Sequence, residues 1–232
     1  MPRNARIVIP DIAHHITQRG NNRQDVFFVD DDKEKFLELI RDQSQRYGTI
    51  IDGYCLMTNH IHIIATPTRH DSLAKTMGTV NLLYSQYISY MHGRTGHLWQ
   101  NRFYSCPLDH NHYYTALCYI EQNPVRAGLS RYPWTYRWSS AGFHIGRDDQ
   151  FNLMDNKRWR RQLSRLDWKK VLSNKLEKLD IDKLRIYCRT GRPLGSDKFI
   201  SKLETAIGRR LRPLPVGRPK KKKNKKAKAK KG

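Results

Sequence analysis

Two strand-like segments separated by only two residues constrain the fold of this chain most. Residues 49–57 (TIIDGYCLM) and 60–66 (HIHIIAT) are rich in the β-branched residues that favour strands. The pair Thr58-Asn59 between them leaves room only for a tight turn. The sequence therefore predicts a β-hairpin at the centre of the fold.

A helix and a further strand are predicted on each side of this hairpin. Three aspartates precede a helical pattern that ends at Gly48, and apolar residues recur with a helical period over residues 73–92. Residues 13–19 and 98–108 have strand character, and residues 109–123 predict a third helix. The order β-α-β-β-α-β-α predicts a ferredoxin-like or RRM-like α+β fold, an antiparallel sheet with helices on one face.

The composition changes in the second half of the chain. Residues 158–179 and 196–211 have helical patterns, whereas the end of the chain, GRPKKKKNKKAKAKKG, is a low-complexity basic segment. We therefore expect a main domain over residues 1–150, a helical C-terminal extension over residues 151–216 and a disordered basic tail over residues 217–232.

The charge of the chain indicates a polyanionic partner. The 232 residues include 44 Lys and Arg against 21 Asp and Glu, a net charge of +23. Ten of the cations lie in residues 218–231, and the other residues keep an excess of positive charge. Nucleic acid is the leading candidate. We expect neither a membrane partner nor a signal peptide, because no apolar run approaches spanning length, and we expect a cytoplasmic location.

The second strand of the hairpin carries two histidines, His60 and His62, with one apolar residue between them. Alternate residues of a strand point to the same side of a sheet, so the two imidazoles lie side by side. This geometry suits a divalent metal ion. A pair of hydrogen-bonded core histidines is the alternative that the pattern leaves open.

The helix predicted over residues 109–123 carries Tyr119 and Asn123, which are four residues apart and share a helical face. An amide oxygen could complete a metal site, and the phenol on the same helical face would point toward that site. Ordinary helix packing for Tyr119 and a helix-end position before proline for Asn123 remain the alternative.

Together, these features resemble a known family, the HUH single-strand endonucleases, and within it the REP-associated, IS200-like tyrosine transposases. The segments that carry the resemblance occur in the family's order, and they are HHITQRGNNRQDVFF, NHIHIIAT, HLWQNRFYSCPL, YIEQNPVRAGL, WSSAGFH and GRPLGSDKF. The resemblance covers nearly the whole chain. It implies metal ligation by His60 and His62, a nucleophile at Tyr119 and an assisting amide at Asn123. Tyr113 and Tyr114 are reserve candidates for the nucleophile.

The resemblance implies a metal-dependent endonuclease and strand transferase acting in DNA transposition and recombination. Its substrate would be single-stranded DNA or DNA hairpins formed by palindromic repeats, and its intermediate a 5′-phosphotyrosine. Mg²⁺ or Mn²⁺ is the expected cofactor, with stronger activity for Mn²⁺ because it accepts nitrogen ligands more readily. A monomer is expected rather than a homodimer. The alternative function is a hairpin-binding protein without catalysis.

Further DNA contacts are predicted at basic and aromatic residues along the chain. Interleaved cations and aromatic rings are typical of base-stacking surfaces, although such rings also fasten helices to a sheet. The predicted DNA-contacting residues are Arg19, Arg102, Arg126, Trp138, Arg218 and Lys220.

Overall fold

The computed structural model describes residues 6–155, 158–159 and 166–213. Its first half has the predicted order of strands and helices. The elements are β1 (His14–Arg19), α1 (Asp30–Tyr47), β2 (Thr49–Leu56), β3 (His60–Pro67), α2 (Ser72–His92) and β4 (Tyr104–Pro107).

The four strands form one antiparallel sheet in the order β2-β3-β1-β4. The histidine-bearing strand β3 is therefore a central strand, as the sequence predicted. In the register of the sheet, His62 lies opposite Thr17 of β1 and Cys55 of β2, and Thr17 lies opposite Tyr104 of β4. These paired side chains share one face of the sheet.

Helix α1 begins at the three aspartates because one of them satisfies free backbone donors. The carboxylate of Asp32 accepts hydrogen bonds from the amides of Phe28 and Val29, at 2.7 and 3.0 Å. Its second oxygen contacts Nε2 of His92, at the end of α2, at 2.9 Å. Gly48 ends the helix with a φ of 66°, in the left-handed region that glycine adopts without strain.

Helices α1 and α2 cover one face of the sheet. Ile16 of β1 and Ile61 and Ile63 of β3 pack there against Phe36 of α1 and Tyr84 of α2, and all five side chains are buried. This layer buries the apolar residues whose helical period predicted both helices.

Shorter helices pack against the other face of the sheet and continue into the C-terminal extension. They are α3 (His110–Glu121), α4 (Asn123–Arg126), α5 (Ala141–His144), α6 (Trp168–Ser173), α7 (Lys178–Thr190) and α8 (Asp197–Ile207). Gly53 of β2 allows the close approach of α3, because a Cβ atom there would lie 2.3 Å from Cδ1 of Leu117. The predicted α+β fold with a helical C-terminal extension is confirmed. Helices cover both faces of the sheet rather than the predicted single face, because α3 and the later helices bury the apolar side chains opposite α1 and α2.

Two predicted elements have different bounds in the structure. The strand expected over residues 98–108 is confined to β4, because Leu98 and Phe103 turn into the core and Gln100 donates to Arg19 from an irregular segment. The helix expected over residues 158–179 is represented among the described residues mainly by α6. Helix α7 was not predicted, and only Leu184 and Cys188 along it are buried.

The proposed domain boundaries at residues 150 and 216 remain predictions, and the basic tail lies outside the described residues. Every helix in the described ranges is too short or too polar to cross a lipid bilayer.

Candidate active site

His60 and His62 lie on the face of the sheet that α3 covers, with their ring centroids 5.1 Å apart. Nδ1 of His60 is 2.6 Å from Oδ1 of Asn59, an atom that can only accept, so this nitrogen carries the proton. Nδ1 of His62 is 2.9 Å from Nε2 of His15 on β1. With Nδ1 as the donor in both rings, each Nε2 keeps a lone pair for a ligand.

Burial keeps these imidazoles neutral. It lowers the pKa of His60 to about 4, with a smaller contribution from the charge of Arg19. Burial also lowers the pKa of His62 well below its ordinary value, and the neighbouring His60 and His15 act in the same direction. Because these pKa values lie below neutrality, both rings are unprotonated at neutral pH, the form that binds a metal.

Tyr119 lies beside the histidine pair of its own chain. Its ring is 5.6 Å from the ring of His62 and 5.9 Å from that of His15, edge-on in both cases. Helix α3 holds it there through buried Leu117 and Ile120, and only 5% of Tyr119 is exposed. The fold therefore brings the phenol next to two imidazoles that lie 57 and 104 residues before it in the sequence.

Asn123 follows at the start of α4 and contacts Arg126. The Arg126 guanidinium donates to Oδ1 of Asn123 and, at 2.5 Å, to the backbone carbonyl of Tyr119. It also lies over the Tyr119 ring, 4.4 Å from the centroid, in a cation-π contact. One cation thus contacts both residues that the sequence paired by their helical spacing.

Two imidazole nitrogens and one amide oxygen are the candidate metal donors at this site. Within the described ranges, no group of three or more histidine, cysteine or carboxylate side chains is arranged to hold a metal. A cation at His60 and His62 would need oxygen ligands from Asn123, water or phosphate. Oδ1 of Asn123 has a second lone pair beside its bond to Arg126, and its buried Nδ2 has no partner among the described residues. Nδ1 of each histidine is already oriented by a hydrogen bond, as in protein metal sites.

The reserve tyrosines lie elsewhere on α3. Tyr113 lines a small cavity with Asp52 and Arg158, and its ring contacts Tyr114. Burial raises the pKa of Tyr113. Among the ring contacts of the described residues, Tyr119 is the tyrosine that meets His62.

The predicted DNA-contacting residues have different environments. Arg19 and Arg102 are exposed, and Arg19 lies opposite His60 in the sheet. Trp138 is buried, stacks on Phe151 and belongs to the core between the sheet and the long helices, which gives it a packing role. The predicted contacts Arg218 and Lys220 lie outside the described residues.

Sequence reasoning missed the contacts that support the site. The hydrogen bond between His15 and His62 joins two strands. The sequence could have indicated it, because His15 alternates along β1 with residues that face the opposite side of the sheet. Glu121, two residues after Tyr119, is fully buried and accepts hydrogen bonds from Ser140 at 2.5 Å, from Trp168 at 2.8 Å and from His144. This carboxylate ties the tyrosine helix to α5 and α6.

We expect Glu121→Gln to lower the free energy of unfolding by about 3 kcal/mol, because a buried network loses its shared acceptor charge. Urea denaturation followed by circular dichroism measures this change. Glu38→Gln is the matched control, since Glu38 forms an exposed ion pair with Lys35 worth about 0.5 kcal/mol or less. Equal urea midpoints for the two variants would show that the Glu121 network does not stabilise the fold.

Comparison with known proteins defines the class of this chain as a transposase. A family model described as "Transposase IS200 like" matches residues 9–123, which include the histidine pair, Tyr119 and Asn123. Through this segment the chain belongs to the IS200-like transposase family. The resemblance stated from the sequence is confirmed at this level. No curated protein matches the chain with significance.

A solved structure shares the fold. The structure of the REP-associated tyrosine transposase bound to a REP hairpin matches with a TM-score of 0.51 and 18% identity, over 63% of this chain and 87% of that one. A protein of Deinococcus radiodurans R1 with a provisional transposase designation matches with a TM-score of 0.38 and 16% identity, over 52% of this chain and 97% of that one.

Proposed function

We propose that this protein is a metal-dependent endonuclease and strand transferase for single-stranded DNA, acting on hairpins of palindromic repeats through a 5′-phosphotyrosine. The observation that carries the proposal is the position of the Tyr119 ring, 5.6 Å from His62 in the same chain. A phenol next to neutral imidazoles can attack a phosphodiester bound there. The family membership and the basic charge of the chain support DNA as the substrate.

The proposed chemistry assigns a role to each residue of the site. His60, His62 and Asn123 would hold Mg²⁺ or Mn²⁺, which when bound supplies positive charge to the scissile phosphate and the leaving oxygen. Tyr119 bonds to phosphorus through its hydroxyl oxygen, the bond from phosphorus to the 3′ oxygen breaks, and the phenol loses its proton to solvent. The 3′ oxygen takes up a proton and is released as a free hydroxyl group. Attack by another 3′ hydroxyl reverses these bond changes and joins strands without ATP.

Arg126 is proposed to contact DNA at the same site. Its guanidinium already lies against Tyr119 and Asn123, where a bound phosphate would bring a negative charge. Arg19, exposed beside His60, is proposed to contact the neighbouring phosphate. Both residues would fix the strand relative to the nucleophile.

The proposal includes a monomeric enzyme, and the contacts of Tyr119 with His62 and His15 of its own chain support it. DNA is the partner, and a hairpin is the proposed form because the structurally similar REP-associated transposase is described with one bound. The cytoplasm is the proposed location.

A denaturing gel tests the proposed function. A hairpin oligonucleotide with labelled single-stranded flanks is incubated with the full chain and Mn²⁺, and several flank sequences are compared. A labelled band at the mass of protein plus DNA is expected. Hairpin binding without any such band would contradict catalysis and favour the alternative of a non-catalytic binder.

A further inference from the structure

A basic cleft of about 900 Å³ lies at the outer edge of β4, next to the C-terminal extension. Its walls are the start of β4, the end of α7 and the segment that follows α8. We call it the arginine cleft, because seven arginines and no acidic residue line it among the residues that the structure describes. Five of the seven follow the family match at residues 9–123, and Arg6 precedes it.

Arg212 and Arg6 tie segments of the cleft wall together. Arg212 forms ion pairs with Glu204 and Asp197. Arg6 stacks on the ring of Phe103, 3.7 Å from its centroid, and donates to the Phe103 carbonyl at 3.1 Å. These contacts stabilise the walls of the cleft.

Three other arginines carry charge that the described part of the chain does not neutralise. Arg102, Arg189 and Arg192 line the cleft and form no ion pair with any described residue. Burial and then the charge of Arg102 lower the pKa of Arg6, so these like charges repel each other. Such a cluster is stabilised when it binds an anion, because the anion offsets the repulsion between the cations.

A second feature points to a ligand. Ser105 of β4 lines the same cleft, is buried, and its hydroxyl group has no hydrogen-bond partner among the described residues. A buried hydroxyl without a partner is costly, and a phosphate oxygen would accept its hydrogen bond.

The cleft lies close to the candidate active site. Tyr104, in the cleft wall, pairs with Thr17, which pairs with His62, and the three side chains share the active-site face. Since neighbouring strands lie about 4.8 Å apart, Tyr104 is roughly 10 Å from His62. A DNA strand that leaves Tyr119 toward β4 would therefore enter the arginine cleft within a few nucleotides.

We propose that the arginine cleft binds the phosphodiester backbone of the DNA next to the cleavage point, so that the C-terminal extension provides a second DNA-binding site. The inference rests on the proposed function, because it takes DNA as the substrate. Its ligand chemistry is a row of phosphates, which the duplex stem of a hairpin or its single-stranded flank can supply.

The test measures equilibrium binding of fluorescent DNA by anisotropy, in EDTA to prevent cleavage, from 50 to 200 mM salt. The variant is the full chain with Arg189→Gln and Arg192→Gln. We expect at least a 10-fold loss of affinity at 50 mM salt and a slope of log K against log salt that is less steep by about 1.4 to 1.8. A blunt hairpin and an unpaired oligonucleotide are tested separately, and the one that loses affinity identifies the source of the phosphates.

The matched control loses the same two charges on the opposite side of the sheet, through Arg41→Gln and Arg46→Gln on α1. Its affinity and slope should stay close to those of the wild type. Equal losses in the two double variants would overturn the proposal, since net charge alone would then explain them. Arg102→Gln, on the other wall of the cleft, should weaken binding in the same way, and unchanged binding by both cleft variants would also overturn it.

The binding test is independent of the proposed cleavage chemistry. Binding in EDTA requires no cleavage, so a reduced slope without any covalent band in the wild type would retain the cleft and reject the nuclease. A covalent band with unchanged slopes would retain the nuclease and reject the cleft. Thermal denaturation of every variant checks that it is folded.

Discussion

The variant Tyr119→Phe should form no covalent adduct with a labelled DNA hairpin, a loss of at least about 1,000-fold relative to the wild type. Phenylalanine keeps the ring that packs edge-on against His62 and His15 but lacks the oxygen proposed to attack phosphorus. The fold and hairpin affinity should therefore be retained. Adduct formation on a denaturing gel and binding by anisotropy measure the two properties separately.

Tyr113→Phe and Tyr114→Phe are the matched controls for this experiment, since both residues lie on the same helix. Each control should form adduct at close to the wild-type rate. An adduct that persists in Tyr119→Phe but disappears in one of the controls would move the nucleophile to that residue and contradict the proposed site.

Removal of the metal should have a comparably large effect. Cleavage should cease in EDTA and return with Mn²⁺ more strongly than with Mg²⁺, because Mn²⁺ accepts imidazole nitrogen more readily. His62→Ala should weaken Mn²⁺ binding by at least about 10-fold to 100-fold, since it deletes a proposed ligand whose ring is hydrogen-bonded to His15. Isothermal titration calorimetry without DNA measures this affinity independently of cleavage.

His97→Ala serves as the control for the metal experiment, because His97 is exposed and lies outside the candidate site. Its Mn²⁺ affinity should match that of the wild type. Cleavage by EDTA-treated protein at the rate of metal-supplied protein would exclude the metal from the reaction. Equal Mn²⁺ affinities for His62→Ala and the wild type would instead exclude His62 as a ligand.

The C-terminal extension contacts both the helix that carries Tyr119 and the edge of the sheet at β4. Glu121 joins the tyrosine helix to α5 and α6, and the arginine cleft lies between β4 and α7. The extension therefore both supports the helix that carries the proposed nucleophile and forms a cationic surface beside it.

Local features of the sequence determined the arrangement of strands and long helices. The two-residue turn between β2 and β3 allows only a hairpin, and Gly48 ends α1 with a positive φ. The common face of His60 and His62 follows from the two-residue period of a strand, and the spacing of Tyr119 and Asn123 follows from the helical period. Each of these inferences depends on residues that are close in sequence.

Only the tertiary structure decided which of these faces meet. The approach of Tyr119 to His62, the bond from His15 to His62 and the cluster around Glu121 all join separate elements. The arginine cleft likewise collects residues from β4, the end of α7 and the segment after α8. Such contacts depend on strand register and on the packing of helices against the sheet. No local period of the sequence encodes these distances, because they result from burying many apolar side chains at once.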